Sequence, residues 1–405
     1  MMDRRSLLAA LAAGAGSRAL APLGARADGT AADETATLPF GNGERPLVAY
    51  PGKRPLLQMT ARPPQLETPF AVFDEGAITP NDAFFVRYHL ADIPTAIDPQ
   101  AFRVAVTGHV ERPLNLSLAE IKALPGQTEI VAVNQCSGNS RGFFEPRIAG
   151  GQLANGAMGC ARWTGVPLKA VLDRAGVKAG AVQVAFEGLD GPVLPETPDF
   201  AKALPLDHAN DGEVLLAWGM NGQDLPWLNG FPLRLVVPGY YGTYWVKHLN
   251  AVTVLDTPFE GFWMKTAYRI PDNDCACTEP GKAPDRTVPI GRFNVRSFVT
   301  NLTDGQQVTA GRVPLRGIAF DGGSGIKAVE VSTDDGRTWS PARLGQDLGR
   351  YAFRAWSAEA DLAPGPHALR VRATGNDGGT QPMEPRWNPA GYMRNVVETT
   401  RVQAA

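Results

Sequence analysis

A cysteine followed by a short polar loop is the feature of this chain best suited to chemistry. Cys136 comes directly after a β-prone segment, residues 128–133, in the run Gln-Cys-Ser-Gly-Asn-Ser-Arg that ends at Arg141. Small residues let a backbone approach a bulky cofactor, and such loops carry functional groups. A thiolate is a soft metal ligand, and a guanidinium can hold an anion beside it. The alternative is a buried structural cysteine, which the polar loop disfavours.

A second candidate binding residue is a charged side chain within an apolar segment. Arg234 lies inside the apolar run Pro-Leu-Arg-Leu-Val-Val-Pro of residues 232–238, which is strongly β-prone. A charged side chain in a buried strand requires compensation, for which a phosphate is suitable.

Together with the cysteine loop, four other runs resemble the sulfite oxidase family of molybdenum enzymes. They are residues 84–89, 232–239, 245–248 and 387–389. The runs fall in the family's order and approximate spacing, and the resemblance covers residues 65–402. Within the family, the chain most resembles bacterial periplasmic sulfite dehydrogenases. The resemblance implies oxidation of sulfite to sulfate at molybdenum held by one molybdopterin.

The resemblance also implies roles for individual residues. Cys136 is expected to ligate molybdenum, and Arg87 and Arg141 to offset the charge of the sulfite anion. The hydroxyl of Tyr268 is expected to donate a hydrogen bond to an oxo ligand or to the anion. The remaining expected cofactor contacts are Phe85, Arg87, His89, Asp190, Asn229, Arg234, Trp245, Val246 and Lys247.

Three positions depart from the animal members of the family. Leu153 stands where they carry a pocket tryptophan, and Asn229 where they carry a histidine. Ala390 stands at the position of their third pocket arginine, which Arg394, four residues on, is a candidate to replace. These changes leave the substrate less defined than the metal.

The expected electron acceptor is a c-type cytochrome, either a subunit or a diffusing partner. The sequence contains no Cys-x-x-Cys-His motif, so no c-type haem is expected on this chain. The oligomer is expected to be a homodimer or a heterodimer with a cytochrome.

Other functions compete with sulfite oxidation. A sulfane dehydrogenase subunit or another periplasmic molybdoenzyme of sulfur compounds is the main alternative, while two cationic pocket residues disfavour a reductase of neutral sulfoxides. A cofactor-free binding module is the alternative from another class, and Arg234 and Lys247 argue against it.

The N-terminus resembles an export signal. Residues 1–27 contain the pair Arg4 and Arg5, an Ala/Leu/Gly stretch and a small-x-small site ending at Ala27. We therefore expect twin-arginine export to the periplasm. No later stretch is apolar enough to predict a membrane span.

The net charge of −2 and the lack of a basic stripe disfavour nucleic acid as a partner.

The elements predict two domains and an α+β class. Residues 28–65 read as an extended arm, residues 66–280 as a sulfite-oxidase-type molybdopterin domain, and residues 285–405 as an immunoglobulin-like β-sandwich that mediates dimerisation. A capping box at Ser117 predicts a helix through Ala123. Strands are predicted at 104–106, 128–133, 182–186, 233–237, 313–318, 328–332, 351–355 and 368–372. Cys160 is expected to be buried and inert, and the spacing of Cys275 and Cys277 disfavours a disulfide.

Overall fold

Strands dominate the computed structural model, which describes residues 34–405. Residues Thr35–Ala405 form one compact unit. The predicted export signal, residues 1–27, and the first residues of the predicted arm lie outside the described residues. In residues 34–405 no helix is long and apolar enough to cross a membrane.

Helices are few and short, so the α+β prediction overstated them. The α-helices of the described part are Leu118–Lys122, Leu168–Ala175, Leu206–Ala209 and Phe262–Lys265. The 3-10 helices there are Phe70–Asp74, Arg141–Phe143, Trp227–Asn229 and Gly242–Tyr244. The capping box is confirmed, because Ser117 Oγ accepts from the Glu120 N–H and the Glu120 carboxylate accepts from the Ser117 N–H.

The prediction of an extended arm is wrong for the described part of residues 28–65. This segment supplies most of an antiparallel sheet, whose strands in order are Thr35–Thr37, Glu44–Val48, Leu56–Thr60, Gln65–Glu67 and Val86–Arg87. Leu56 and Leu66 are buried and pack with Val86 and Tyr88. Proline and glycine concealed this pattern, because they lie in the turns between the short strands. The last strand of the sheet ends at Arg87.

Two further sheets surround the predicted site. The first contains, in order, Ala201–Pro205, Gln183–Gly188, Leu249–Leu255, Arg103–Gly108 and Leu114–Ser117. Its strands are antiparallel except Leu249–Leu255 and Arg103–Gly108, which are parallel. The second contains Gln223–Asp224, Leu215–Met220, Met158–Pro167 and Thr128–Gln135, with Arg234–Val236 paired to Leu215–Met220. The strands predicted at 104–106 and 128–133 lie within these elements, and those predicted at 182–186 and 233–237 overlap them with ends that differ by one residue or two.

The C-terminal region contains two sheets around a shared apolar core. One contains, in order, Arg296–Val299, Gly311–Phe320, Arg354–Leu362 and Arg343–Leu344; the other contains Gln306–Val308, Glu398–Ala404, Gly365–Gly375, Ile326–Ser332 and Ser340–Pro341. A small sheet, Arg269–Pro271 with Thr287–Pro289, flanks the predicted linker at 280–284. An immunoglobulin-like topology for this region stays a prediction.

The strand predicted at 351–355 is misplaced. The observed strand is Arg354–Leu362. Tyr351 and Phe353 lie just before it and are buried in the large apolar core that also contains Cys136. The Val133 N–H donates to the Tyr351 carbonyl over 2.9 Å. The apolar pattern therefore reflects packing against the strand that leads to Cys136, not membership of a C-terminal sheet.

Of the two predictions for the other cysteines, one is confirmed and one is wrong. Cys160 is buried as predicted, and burial raises the pKa of its thiol to about 12. The prediction against pairing Cys275 with Cys277 is wrong, because a disulfide joins them. A tight turn brings them together, in which Asn273 Oδ1 accepts from the Cys277 N–H and Ala276 has a φ of 48°.

Candidate active site

Cys136 lies at the inner end of the strand Thr128–Gln135, which is exposed at its start and buried at its end. Cys136 is 7% exposed, its N–H donates to the Ala157 carbonyl, and its carbonyl accepts from the Asn139 N–H. Gly138 leaves room for the Arg141 guanidinium, because a Cβ there would lie 2.7 Å from Arg141 Nη2 and would displace that side chain. The loop therefore holds the thiol in place through its own backbone.

One cavity collects every predicted site residue except Arg141. Its lining includes Cys136, Arg87 and Tyr268 together with the predicted cofactor contacts. Residues that sequence reasoning missed also line it: Phe84, Tyr88, Asn134, Ser137, Phe200, Gly242 and Thr243. Asn134 and Ser137 flank Cys136 closely enough that their proximity could have indicated them. The geometry brings the set together, while the role of each residue stays a prediction.

Several polar atoms of the cavity wall are buried without a partner. Within residues 34–405, Asn134 Oδ1, Ser137 Oγ, Thr243 Oγ1 and Arg234 Nε make no hydrogen bond. A buried unsatisfied polar group costs about 1–3 kcal/mol, so native proteins rarely leave several together. The wall is therefore built for a polar ligand.

Two cations, the buried Arg234 and the half-buried Lys247, point to an anionic part of that ligand. Arg234 donates to the carbonyls of Asn229 and Trp245, and burial lowers its pKa to about 9. Lys247 donates to the Arg87 carbonyl and lies 3.7 Å from the Tyr88 ring centroid. Burial, and then Arg234, lower the pKa of Lys247 to about 7. Neither side chain forms an ion pair with the described residues, so a bound phosphate would stabilise both charges.

Asp190 is the carboxyl group of the cavity wall. Burial raises its pKa to about 6, while Lys247 opposes that shift. It is 7% exposed. At neutral pH it can therefore accept hydrogen bonds from the N–H groups of a pterin.

A lysine of the N-terminal sheet region orients Asn229. Lys53 Nζ donates to Asn229 Oδ1 over 2.5 Å and to the carbonyls of Asn81 and Phe84. Asn229 Nδ2 donates to the Phe85 carbonyl over 3.1 Å. With Oδ1 engaged, the second Nδ2 hydrogen is the group that Asn229 can offer to a ligand. No motif marked Lys53, because it lies in the segment interpreted as an arm.

His89 and Tyr268 share a hydrogen bond on one side of the cavity. His89 Nε2 lies 2.5 Å from the Tyr268 hydroxyl, and the imidazole stacks on Phe200 with ring centroids 3.8 Å apart. Burial, and then the charge of Arg87, hold the pKa of His89 well below its usual range. The neutral imidazole can donate from Nε2, which frees the tyrosine hydroxyl to donate into the cavity. Tyr268 has a φ of 58°, a left-handed conformation that is uncommon for an aromatic residue and concentrates at functional sites.

A second buried lysine lies behind Tyr268. Lys202 is fully buried and its Nζ donates to the Trp263 carbonyl over 2.7 Å. The same atom lies 5.2 Å from the Tyr268 ring centroid and 4.6 Å from that of Tyr244. Burial lowers its pKa to about 7. Lys202 forms no ion pair within the described chain, and no spacing in the sequence indicated it.

Arg141 lies outside the cavity wall but contacts it through Tyr392. Its Nε donates to the Ala390 carbonyl over 3.2 Å, and its Cζ lies 5.0 Å from the Tyr392 ring centroid. Burial raises the pKa of Tyr392, and Arg141 opposes this shift. Tyr392 follows the Trp-Asn-Pro motif by three residues, a position that sequence reasoning passed over.

The suggestion that Arg394 replaces the third pocket arginine is wrong. Arg394 pairs with Glu398 and lies over the Phe143 ring, and it does not line the cavity. Glu398 also pairs with the buried Arg296, so this carboxylate holds Arg394 away from the site. Leu153 is buried behind the loop, where its carbonyl accepts from the Gly142 N–H, rather than in the cavity wall.

The sequence is similar to known family models and to known enzymes. A model of the oxidoreductase molybdopterin-binding domain matches residues 90–263, and one of the Mo-co oxidoreductase dimerisation domain matches residues 287–404. Mitochondrial sulfite oxidase of Homo sapiens is 35% identical over 370 residues, which are 87% of this chain and 66% of that enzyme. Sulfite oxidase of Gallus gallus is 33% identical, over 89% of this chain and 80% of that enzyme.

A solved structure has the same fold. The sulfane dehydrogenase SoxCD from Paracoccus pantotrophus aligns with a TM-score of 0.73 over 92% of this chain and 90% of that one. At 24% identity this likeness shows the fold alone. The sequence matches show more: the chain belongs to the sulfite oxidase family, and its cofactor is molybdenum bound to molybdopterin.

The residues present fit this cofactor. Cys136 offers the thiolate that suits a soft redox metal, and Arg234 and Lys247 offer positive charge in the cavity wall for the pterin phosphate. The unpartnered atoms of Asn134, Ser137 and Thr243 offer hydrogen bonds in the same wall. Gly242 is needed beside them, since a Cβ there would lie 2.4 Å from Asn134 Oδ1.

Proposed function

We propose that this protein oxidises sulfite to sulfate in the periplasm and passes the electrons, one at a time, to a c-type cytochrome. The observation that carries this proposal is the position of Arg87 in the cavity wall that also holds Cys136 and Tyr268. Within residues 34–405 the Arg87 guanidinium donates only to the Tyr88 carbonyl. A guanidinium with free donors matches the oxygens of a small sulfur oxyanion.

The residues of this chain would bind and orient the substrate. When bound, the molybdenum cofactor supplies the oxygen atom and the two-electron redox change. Arg87 offsets the charge of the entering anion, and Tyr268 donates a hydrogen bond toward it while His89 holds the tyrosine oxygen. Because His89 is neutral, it adds no charge that would compete with Arg87 for the anion.

The proposals for the electron acceptor and for the cellular compartment rest on the sequence. Two electrons must leave the site one at a time for a cytochrome, and the sequence holds no c-type haem motif. The pair Arg4 and Arg5 and the small-x-small site at residues 25–27 support twin-arginine export. Fusion of residues 1–27 to a reporter that is active only after folded export tests the compartment.

The deciding experiment measures sulfite-dependent reduction of ferric cytochrome c by protein of known molybdenum content. We expect turnover proportional to molybdenum, and loss of turnover in Cys136→Ser. Cys160→Ala is the matched control, because Cys160 is buried away from the cavity and its loss should leave molybdenum content and turnover intact. Full turnover by Cys136→Ser would refute the assignment.

A sulfane dehydrogenase is the second candidate. Ala390 in place of an arginine leaves the substrate side with fewer cations than the animal enzymes, which suits a bulkier, carrier-bound sulfur compound. A fully loaded protein that ignores free sulfite but oxidises carrier-bound sulfur would favour this candidate.

A further inference from the structure

A loop beside the cofactor cavity exposes apolar side chains among acidic ones. We call residues 187–199 the rim loop. Leu189, Val193 and Leu194 in it are 39%, 55% and 60% exposed. Glu187, Glu196 and Asp199 in the same segment are also exposed, and the segment contains no lysine or arginine. Exposed large apolar side chains rimmed by charges of one sign are typical of a protein-binding surface.

The rim loop is fixed to the cavity at both ends. Asp190, near its start, and Phe200, directly after its end, both line the cavity. The Leu189 N–H donates to the His248 carbonyl next to Lys247, and Gly191 pairs with Asp92 through backbone hydrogen bonds. A partner bound here would sit against the wall that holds the cofactor.

The far side of the rim loop is also anchored. The Trp263 indole donates to the Pro198 carbonyl over 3.2 Å. Phe262, 41% exposed, packs edge-on against the Trp263 ring. The backbone that carries the exposed apolar side chains is therefore fixed in place, so little further ordering is required when a partner binds.

We propose that the rim loop docks the electron acceptor, a one-electron redox protein that carries basic residues around the exposed edge of its cofactor. This inference rests on the proposed function. Acidic residues steer a basic partner to the surface, and the apolar residues exclude water from the contact. Electron transfer slows steeply with distance, so a surface adjoining the cavity wall favours it. A second copy of this chain is a poorer occupant, because the dimerisation-domain match covers residues 287–404.

The test uses the molybdenum-loaded full chain and two acceptors, a basic cytochrome c and ferricyanide. Glu196→Gln with Asp199→Asn removes rim charge, and Val193→Ser with Leu194→Ser removes its apolar side chains. For cytochrome c at low salt, we expect kcat/KM to fall about tenfold in each double variant, with a weaker salt dependence in the charge variant. Ferricyanide turnover should be retained in both, since the small acceptor needs no protein interface.

The matched control is Met383→Ser with Glu384→Gln, an adjacent exposed apolar and acidic pair in the C-terminal region. It should leave cytochrome c rates unchanged. Unchanged cytochrome c rates in both rim variants, equal losses with both acceptors, or a changed oligomeric mass in the apolar variant would each overturn the assignment. Wild-type protein that reduces neither acceptor with sulfite would instead refute the proposed function.

Discussion

Tyr392 stacks on Tyr268, with ring centroids 5.3 Å apart and planes only 7° from parallel. The Tyr392 ring also contacts the Arg141 guanidinium, with Arg141 Cζ 5.0 Å from the Tyr392 ring centroid. Arg141 therefore reaches the candidate site through an aromatic ring rather than by lining the cavity. Tyr392 positions two of the residues expected to bind substrate.

Replacing Tyr392 with leucine should weaken substrate binding. Aromatic stacking and a cation–π contact are each worth about 1 kcal/mol, so we expect kcat/KM for sulfite to fall roughly five- to thirtyfold. Steady-state kinetics on protein of matched molybdenum content measures this change. Tyr392→Phe keeps the ring and should retain most activity; an equal loss in Phe and Leu would point to the hydroxyl instead.

Arg87 should matter more than Arg141. Arg87 lines the cavity, whereas Arg141 is held by the Ala390 carbonyl outside it. We expect Arg87→Gln to lower kcat/KM for sulfite about 10²- to 10³-fold, as for loss of one preorganised donor, and Arg141→Gln to lower it about tenfold. The reverse order, measured under identical conditions, would show that the anion approaches from the Arg141 side.

Lys53 should control cofactor binding through Asn229. Lys53→Met removes the donor to two buried acceptors, Asn229 Oδ1 and the Phe84 carbonyl, and to the half-buried Asn81 carbonyl. We expect a lower molybdenum content and a loss of about 1–3 kcal/mol in unfolding free energy. Lys282→Met, at an exposed lysine of the linker, is the control. If Lys53→Met is destabilised but fully loaded, the role of Lys53 is structural alone.

The sequence predicted the polar centre of the site because loops and motifs carry local signals. Cys136 and Arg234 each stood in a run whose composition already required an explanation, whereas Arg87 was indicated by the family resemblance; the structure places all three in one cavity wall. The predicted strands mostly lie within observed strands, because apolar alternation reports burial directly.

Other features depended on distant contacts that no local pattern reports. Lys53 and Lys202 are buried lysines whose partners, Asn229 and Trp263, lie far away in the chain. Tyr351 and Phe353 showed the pattern of a strand but pack into the core of another region. The N-terminal strands were missed because each is short and bounded by turn residues.

Lys202 should make stability depend on pH. Burial lowers its pKa from 10.5 to about 7 in the folded protein, so between pH 7 and 10 the unfolded chain binds more protons at this site than the folded one. Stability contributed by this group therefore rises as pH increases through that window. Burial raises the pKa of the neighbouring Tyr244 and Tyr268, so their contribution has the opposite sign, but it begins only near pH 10, where unfolded tyrosine ionises, and it is common to wild type and Lys202→Met.

We therefore expect wild-type protein to gain stability relative to Lys202→Met between pH 7 and pH 9.5. A shift of one pKa unit corresponds to about 1.4 kcal/mol, so the relative gain in unfolding free energy over this pH range should be about 3 kcal/mol. Denaturant unfolding of both proteins across this pH range measures it. Lys265→Met, at an exposed lysine paired with Glu260, serves as control and should show a difference that is constant with pH. A difference between wild type and Lys202→Met that is also constant with pH would mean that Lys202 keeps its proton when buried, stabilised by the Trp263 carbonyl and the faces of the two tyrosine rings.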